Sequence, residues 1–177
     1  NDNYIVVNSN EFSFRPGGTT VMNIESSGKV GIGTQNPDQL LHVEGTEALS
    51  LLESTGAGQN AEYQAKSTTR HWGWGTNIGA SGGVYEIFDR TAGSTRFIVD
   101  TSGNVLPGAD NSYDLGSSSA RWANVHSADL HLSNEDTKGN EVDGTTGNWT
   151  IQEGEDDLYL LNRKNGKKYK FKLEEIK

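Results

Sequence analysis

The sequence holds no cysteine, so neither disulfides nor thiolate metal sites are open to it. It has three prolines and one methionine, and no apolar run approaches the roughly 20 residues of a membrane-spanning helix. Cations are scarce: 15 Lys and Arg stand against 24 Asp and Glu, giving a formal charge of −9 and a pI of about 4.8. Nucleic-acid binding needs a basic face, as does adhesion to anionic lipid, and the charge argues against both. Hydrophobic residues are also short, at 32% with a mean hydropathy of −0.67, which supplies one thick core poorly. Yet 22 glycines beside four tryptophans do not make a disordered composition. Both facts fit a thin β-structure that completes its core by oligomerising.

Strand and turn signals are present from the start. Tyr4-Ile5-Val6-Val7 is short and β-branched, Phe12 and Phe14 alternate with Ser13 and Arg15, and Pro16-Gly17-Gly18 marks a turn. Val21, Met22 and Ile24 read as a strand, Ser26-Ser27-Gly28 as a turn, and Val30-Gly31-Ile32 as the next strand. This pattern returns 75 residues on: Thr20, Ile24, Gly28 and Val30 answer to Thr95, Val99, Gly103 and Val105, and Arg15 with Gly18 to Arg90 with Gly93. Two such units are too few for a solenoid and read as similar β-modules stacked along one axis.

Between the copies, residues 37–43 read as a helical turn entering a strand, and Leu49-Ser50-Leu51-Leu52-Glu53 as another strand. Ala61, Tyr63 and Ala65 alternate with Glu62, Gln64 and Lys66, the period of a half-buried strand. Trp72 and Trp74 put two indoles on one face of an extended segment. Tyr85, Ile87 and Phe97-Ile98-Val99 complete a sandwich-like or prism-like module. Further on, Ser117-Ser118-Ser119 stands where it would cap a short helical turn at 120–124, followed by strand-like alternation of Val125, Ser127, Leu130 and Leu132. At the C-terminus come two strands around Trp149-Thr150-Ile151 and Leu158-Tyr159-Leu160, then Asn165-Gly166, then Tyr169 and Phe171 between lysines. That is a three-stranded meander. The divisions are an N-terminal β-repeat module over 1–45, a central β-module over 46–106, a linker over 107–132 and a C-terminal cap over 133–177.

Residues 103–125, Gly-Asn-Val-Leu-Pro-Gly-Ala-Asp-Asn-Ser-Tyr-Asp-Leu-Gly-Ser-Ser-Ser-Ala-Arg-Trp-Ala-Asn-Val, resemble a segment of tailed-bacteriophage tail fibres and tailspikes. Residues 27–37, Ser-Gly-Lys-Val-Gly-Ile-Gly-Thr-Gln-Asn-Pro, continued by Leu40-Leu41-His42-Val43, are similar to a second motif of the same proteins. The resemblance implies an all-β, elongated, intertwined homotrimer at the distal end of a virion fibre, outside the cell. Its partners would be its own copies, other virion tail proteins, and a host surface glycan or outer-membrane protein, with no nucleic acid and no membrane insertion. The chain opens Asn1-Asp2-Asn3 rather than on Met and reads as a piece of a longer one. A fibre spacer or trimerisation cap, a glycan depolymerase fragment and a bacterial surface adhesin are the other readings.

Trp72 and Tyr85 suit a platform for sugar rings, and Asn77, Asn140 and Asp143 lie in the polar loops at 76–83 and 133–147 that suit receptor contact. Trp74, Tyr113, Leu115, Trp122, Val125 and Trp149 are assigned to a trimer core, where large aromatics replace missing aliphatics. No catalytic group, metal site or cofactor is assigned. Fibres that this chain resembles can cut themselves at a Ser-Asp-x-Arg-Leu-Lys motif through a Ser–Lys dyad. Ser133 and Lys138 keep that spacing, but Asp136 reverses a charge, and acidic neighbours raise a lysine's pKa where activation requires it lowered.

Overall fold

The computed structural model describes residues 3–48, 50–80 and 82–176. Among the described residues fourteen strands form three separate sheets. The N-terminal sheet joins β1 (Tyr4–Val7), β2 (Glu11–Arg15), β3 (Met22–Glu25), β4 (Val30–Ile32) and β5 (Leu41–Val43) in chain order. The central sheet joins β6 (Ala61–Lys66), β7 (His71–Thr76), β8 (Tyr85–Asp89), β9 (Ser94–Val99) and β10 (Val105–Pro107), also in chain order. The C-terminal sheet is β11 (Asp129–Ser133), β12 (Asn148–Glu153), β13 (Leu158–Asn162) and β14 (Lys168–Lys170). The protein is therefore all-β; a single 3-10 turn at Pro16–Gly18 is the only helical element among the described residues. The chain divides into two compact units, Asn1–Tyr113 with the first two sheets and Asp114–Lys177 with the third.

All strand pairs are antiparallel except β4 with β5, where residues 33–40 carry the chain back across the sheet to set Leu41 beside Val30. Lys29 donates to the Pro37 carbonyl (2.8 Å) and the Asn23 amide to that of Gln35 (3.2 Å), which fixes the crossing.

The repeat is a matter of hydrogen bonding as well as of sequence. In the β3–β4 hairpin the Glu25 amide donates to Lys29 and the Gly28 amide to Glu25; in the β9–β10 hairpin the Asp100 amide donates to Asn104 and the Gly103 amide to Asp100. Gly28 (φ 85°) and Gly103 (φ 86°) both hold the left-handed conformation that this turn requires.

Register assigns the faces, because directly paired residues share one and neighbours along a strand alternate. In the N-terminal sheet, Ile5, Phe14, Met22, Ile32 and Val43 form one apolar row, and Val7, Phe12, Ile24, Val30 and Leu41 the next. The opposite face carries Glu11, Ser13, Arg15, Asn23, Glu25 and His42. In the central sheet, Tyr63, Trp74, Ile87 and Phe97 share a row, as do Thr76, Tyr85, Val99 and Val105; Glu62, Gln64 and Glu86 stand behind. In the C-terminal sheet, Leu130, Leu132, Trp149, Ile151, Leu160 and Tyr169 share one face, and Asp129, His131, Thr150 and Gln152 the other.

Burial follows the reverse of the usual rule. Among the described residues no hydrophobic side chain is buried, while Ser13, Asn23, Glu86, Asp89 and Thr150 all are. Each sheet is thus a single layer with its polar face closed by its own side chains and its apolar face only half-covered. Among the described residues of the central module no sandwich core closes, so of the two expected forms, sandwich-like and prism-like, the first does not form within one chain.

Several local expectations also change. The C-terminal meander has four strands, because β11 from the expected linker pairs with β12. β10 likewise ends at Pro107, past the expected module boundary at 106. Val125 and Ser127 precede β11 and have no strand partner. The helical turn at 120–124 does not form: Ser117 and Ala120 exchange backbone hydrogen bonds (2.9 and 3.2 Å), and the Ser117 hydroxyl takes the Ala120 amide, so the serine caps a closed turn. No helical turn stands at 37–40 either. Residues 50–53 form no strand, and Leu49 of that expected strand lies outside the described residues.

Candidate functional site

Two regions gather the expected binding residues, one in each unit. In the central sheet, Tyr85 and Trp72 stand on the apolar face with Trp74, so the indoles assigned to ligand and to core share one surface. Trp74 lies parallel to Tyr63 at 6.2 Å, and the Tyr63 hydroxyl donates to Ser50. Beside Trp72 that face ends in a charged group: Asp89 takes Arg96 at 3.1 Å and Arg70 at 3.3 Å, and Arg96 lies over the Tyr113 ring at 5.0 Å. Burial pushes the Asp89 carboxyl up, but the Ala92 amide and the two arginines outweigh it and hold it below its ordinary value.

The loop at 76–83 folds over the polar face instead. Glu86, fully buried, accepts the amides of Ile78 (2.8 Å), Gly79 (2.9 Å) and Ala80 (3.1 Å) and the Thr95 hydroxyl (2.9 Å). Asn77, at a positive φ of 57°, takes the Gly83 amide (2.7 Å), so its side chain closes the loop from within. Ser81 of this loop lies outside the described residues.

The second region is a cleft of about 510 Å³ in the C-terminal unit. Both loops that border it, residues 134–147 between β11 and β12 and residues 163–167 between β13 and β14, lie at the end of the sheet opposite the one where the chain enters β11. Its walls include Leu132, Asn134, Asn140, Asp143, Trp149 and Lys164. The loop is built from its own amides. Asn134 accepts the Gly147 amide (2.6 Å); Asn140 accepts those of Val142 and Asp143 and donates to Asp143 (2.7 Å); Asp143 accepts the Thr145 amide (3.0 Å) and hydroxyl (2.8 Å). These bonds, the Thr145 amide first, hold the Asp143 carboxyl below its ordinary value. Gly139 (φ 87°) passes so close to the Gly144 carbonyl that a side chain there has no room. Trp149 leans on Tyr169 at 5.8 Å and 43°, and Gly147 lies against its indole nitrogen.

The structure brings Asn140 and Asp143 to one cleft with Trp149, which the sequence assigns to a trimer core. Tyr113, Leu115, Trp122 and Val125 are 38%, 79%, 64% and 73% exposed in the single chain. Asn134 lies in the loop at 133–147 expected to make contacts, whereas Asn162 and Lys164 are cleft residues that sequence reasoning missed; for Asn162 only the turn-forming bias of asparagine pointed there. Ser133 takes the Glu135 amide (3.3 Å), and no hydrogen bond among the described residues joins it to Lys138. Among the described residues no three His, Cys, Asp or Glu side chains gather as a metal-holding group, and no helix is long and apolar enough to cross a membrane. No protein-family model matches the chain, and no curated protein matches it.

Proposed function

We propose that the chain is the distal segment of a homotrimeric virion tail fibre and attaches the particle to a host cell surface by binding, without turnover. The observation that carries this reading is the segregation of the two five-stranded sheets into a polar face closed by its own side chains and an apolar face only half-covered. The chain exposes 13979 Å². Compact bodies of about 12 and 7 kDa, the shares of its 19.2 kDa in the two units, would together expose only about 10,000 Å². The excess, about 3,900 Å², is the size of interface that obligate subunits bury, about 2,000–5,000 Å².

Threefold closure suits the wall width. Five strands about 4.8 Å apart make a wall about 19–24 Å wide, and the axis of a triangular prism of that side lies about 6 Å from each wall. A Phe or Trp side chain reaches that far, so Phe14, Trp74 and Phe97 would meet their copies near the axis. The phage motifs at 27–43 and 103–125 add the fibre context, and three identical sites on one body add avidity.

Two measurements test the proposal. Light scattering should give three times the 19.2 kDa chain mass, and the labelled protein should bind host cells saturably. A stable monomer would sink the architecture. A trimer that binds no cell surface would leave the spacer reading, which the repeated hairpin unit favours.

A further inference from the structure

We infer that the cleft at the far end of the C-terminal sheet binds one neutral pyranose ring of a glycan, stacked on Trp149 and hydrogen-bonded by Asp143, Asn162 and Lys164. This rests on the attachment role proposed above and gives it a place and a chemical class.

The unused hydrogen-bonding capacity of the walls carries the inference. Asp143 spends Oδ1 on Thr145 and Asn140, and its Oδ2 has no partner among the described residues. Asn162 spends Oδ1 on the Lys164 and Asn165 amides, and its NH2 has no partner among the described residues. Lys164 gives Nζ to the Thr146 carbonyl (3.2 Å) and hydroxyl (3.1 Å), with one N–H left over. An ionic acceptor and two donors thus line the same cleft as an indole.

A sugar ring presents a C–H face to an aromatic surface and hydroxyls that donate and accept at once, which matches this set. Charge narrows the class. Asp143 and Lys164 line the same cleft, so a ring of either charge meets one attractive and one repulsive partner; neither sign gains, and a neutral ring uses both groups as hydrogen-bond partners. The volume of about 510 Å³ falls within the usual range of small-ligand sites, about 300–1,000 Å³. The loop's internal bonds hold the walls in place beforehand, which removes an ordering cost from binding.

Saturation-transfer NMR on the full chain tests this, with the methyl glycosides of glucose, galactose and N-acetylglucosamine as probes and glucuronic acid and glucosamine as charged counterparts. Saturation should reach the C–H face of at least one neutral ring, with a dissociation constant on the order of 1 mM. Asp143→Asn keeps the loop's shape and should weaken binding about tenfold or more, as losing a charged hydrogen bond does; Lys164→Gln should weaken it severalfold. Near-UV circular dichroism of the Trp149–Tyr169 pair reports whether each variant keeps the fold. No transfer to any neutral ring, transfer indifferent to both variants with the fold intact, or a charged sugar bound more tightly would each overturn the inference. A trimer that binds cells but takes up no sugar overturns the cleft alone. Sugar uptake without cell binding overturns the attachment role and leaves the cleft standing.

Discussion

Glu62 and Arg90 grip each other with both prongs across the polar face of the central sheet, and Gly73 leaves the space in which they do so. Arg90 Nε donates to Glu62 Oε1 at 2.6 Å, and its terminal nitrogen takes the other oxygen. The Glu62 side chain is 3% exposed and that of Arg90 29%. A Cβ on Gly73 would occupy the position of the Glu62 carboxylate.

Gly73→Ala should therefore destabilise the protein. Elsewhere in a strand, alanine for glycine gains about 0.5–1 kcal/mol. Here it displaces a buried carboxylate from its partner, and a loss of about 1–3 kcal/mol is expected. Thermal melts at fixed protein concentration read the sign, and an unchanged or raised midpoint refutes the steric account.

Acid should weaken the fold, in a defined window. The Arg90 hydrogen bonds hold Glu62 below its ordinary value of 4.5 against the opposing effect of burial, and Asp89, Asp100 and Asp143 lie below 3.8. A group whose pKa is depressed by folding contributes stability that is present above its unfolded value and lost as pH falls through the folded one. Melting temperature should thus fall below about pH 4.5, and these groups add no slope between about pH 5 and 8. In Arg90→Gln the acid-dependent fall should shrink; an identical pH profile in the variant would show that the pair is not its source.

Glu86→Gln leaves one side-chain oxygen where two now serve four donors, and turns an NH2 group on the rest of that set. Amide exchange at Ile78, Gly79 and Ala80 should accelerate, with a stability loss of about 1–3 kcal/mol. Protection factors matching the parent protein's would mean that the loop holds without its carboxylate.

Charge on the apolar faces separates a bare monomer from an assembled one. Ile5 and Ile32 are 55% and 43% exposed in the single chain, so Ile5→Lys and Ile32→Lys cost little if the chain works alone. If the faces meet other copies, both should reduce the mass measured by light scattering. Tyr159→Lys, on the polar face of the C-terminal sheet, should leave it unchanged.

The sequence revealed what is local. Alternation placed β6, β7 and β12, Asn165-Gly166 marked the β13–β14 hairpin, and the Ser-Gly turns announced the repeat, because a left-handed glycine and its flanking strands suffice to define such a turn. Partners distant in the chain stayed hidden. Leu51 and Leu52 look like strand residues but find no neighbour to pair with, whereas β5 is short and forms only because the crossing at 33–40 returns it to β4. The same applies to the site. Polarity pointed to the loop holding Asn140 and Asp143, but nothing in the residues says that Lys164 and Trp149 border it, or that Glu62 meets Arg90 rather than solvent.

The polar lattices on the three sheets have a calorimetric consequence. Heat-capacity change on unfolding comes from newly wetted apolar surface, and polar exposure subtracts from it. Among the described residues of a lone chain no hydrophobic side chain is fully buried and many are only partly covered, so its stability curve should be shallower and its melting broader than those of associated chains. A sharp endotherm with a large heat-capacity step would therefore belong to the association of chains, and its midpoint would rise with protein concentration.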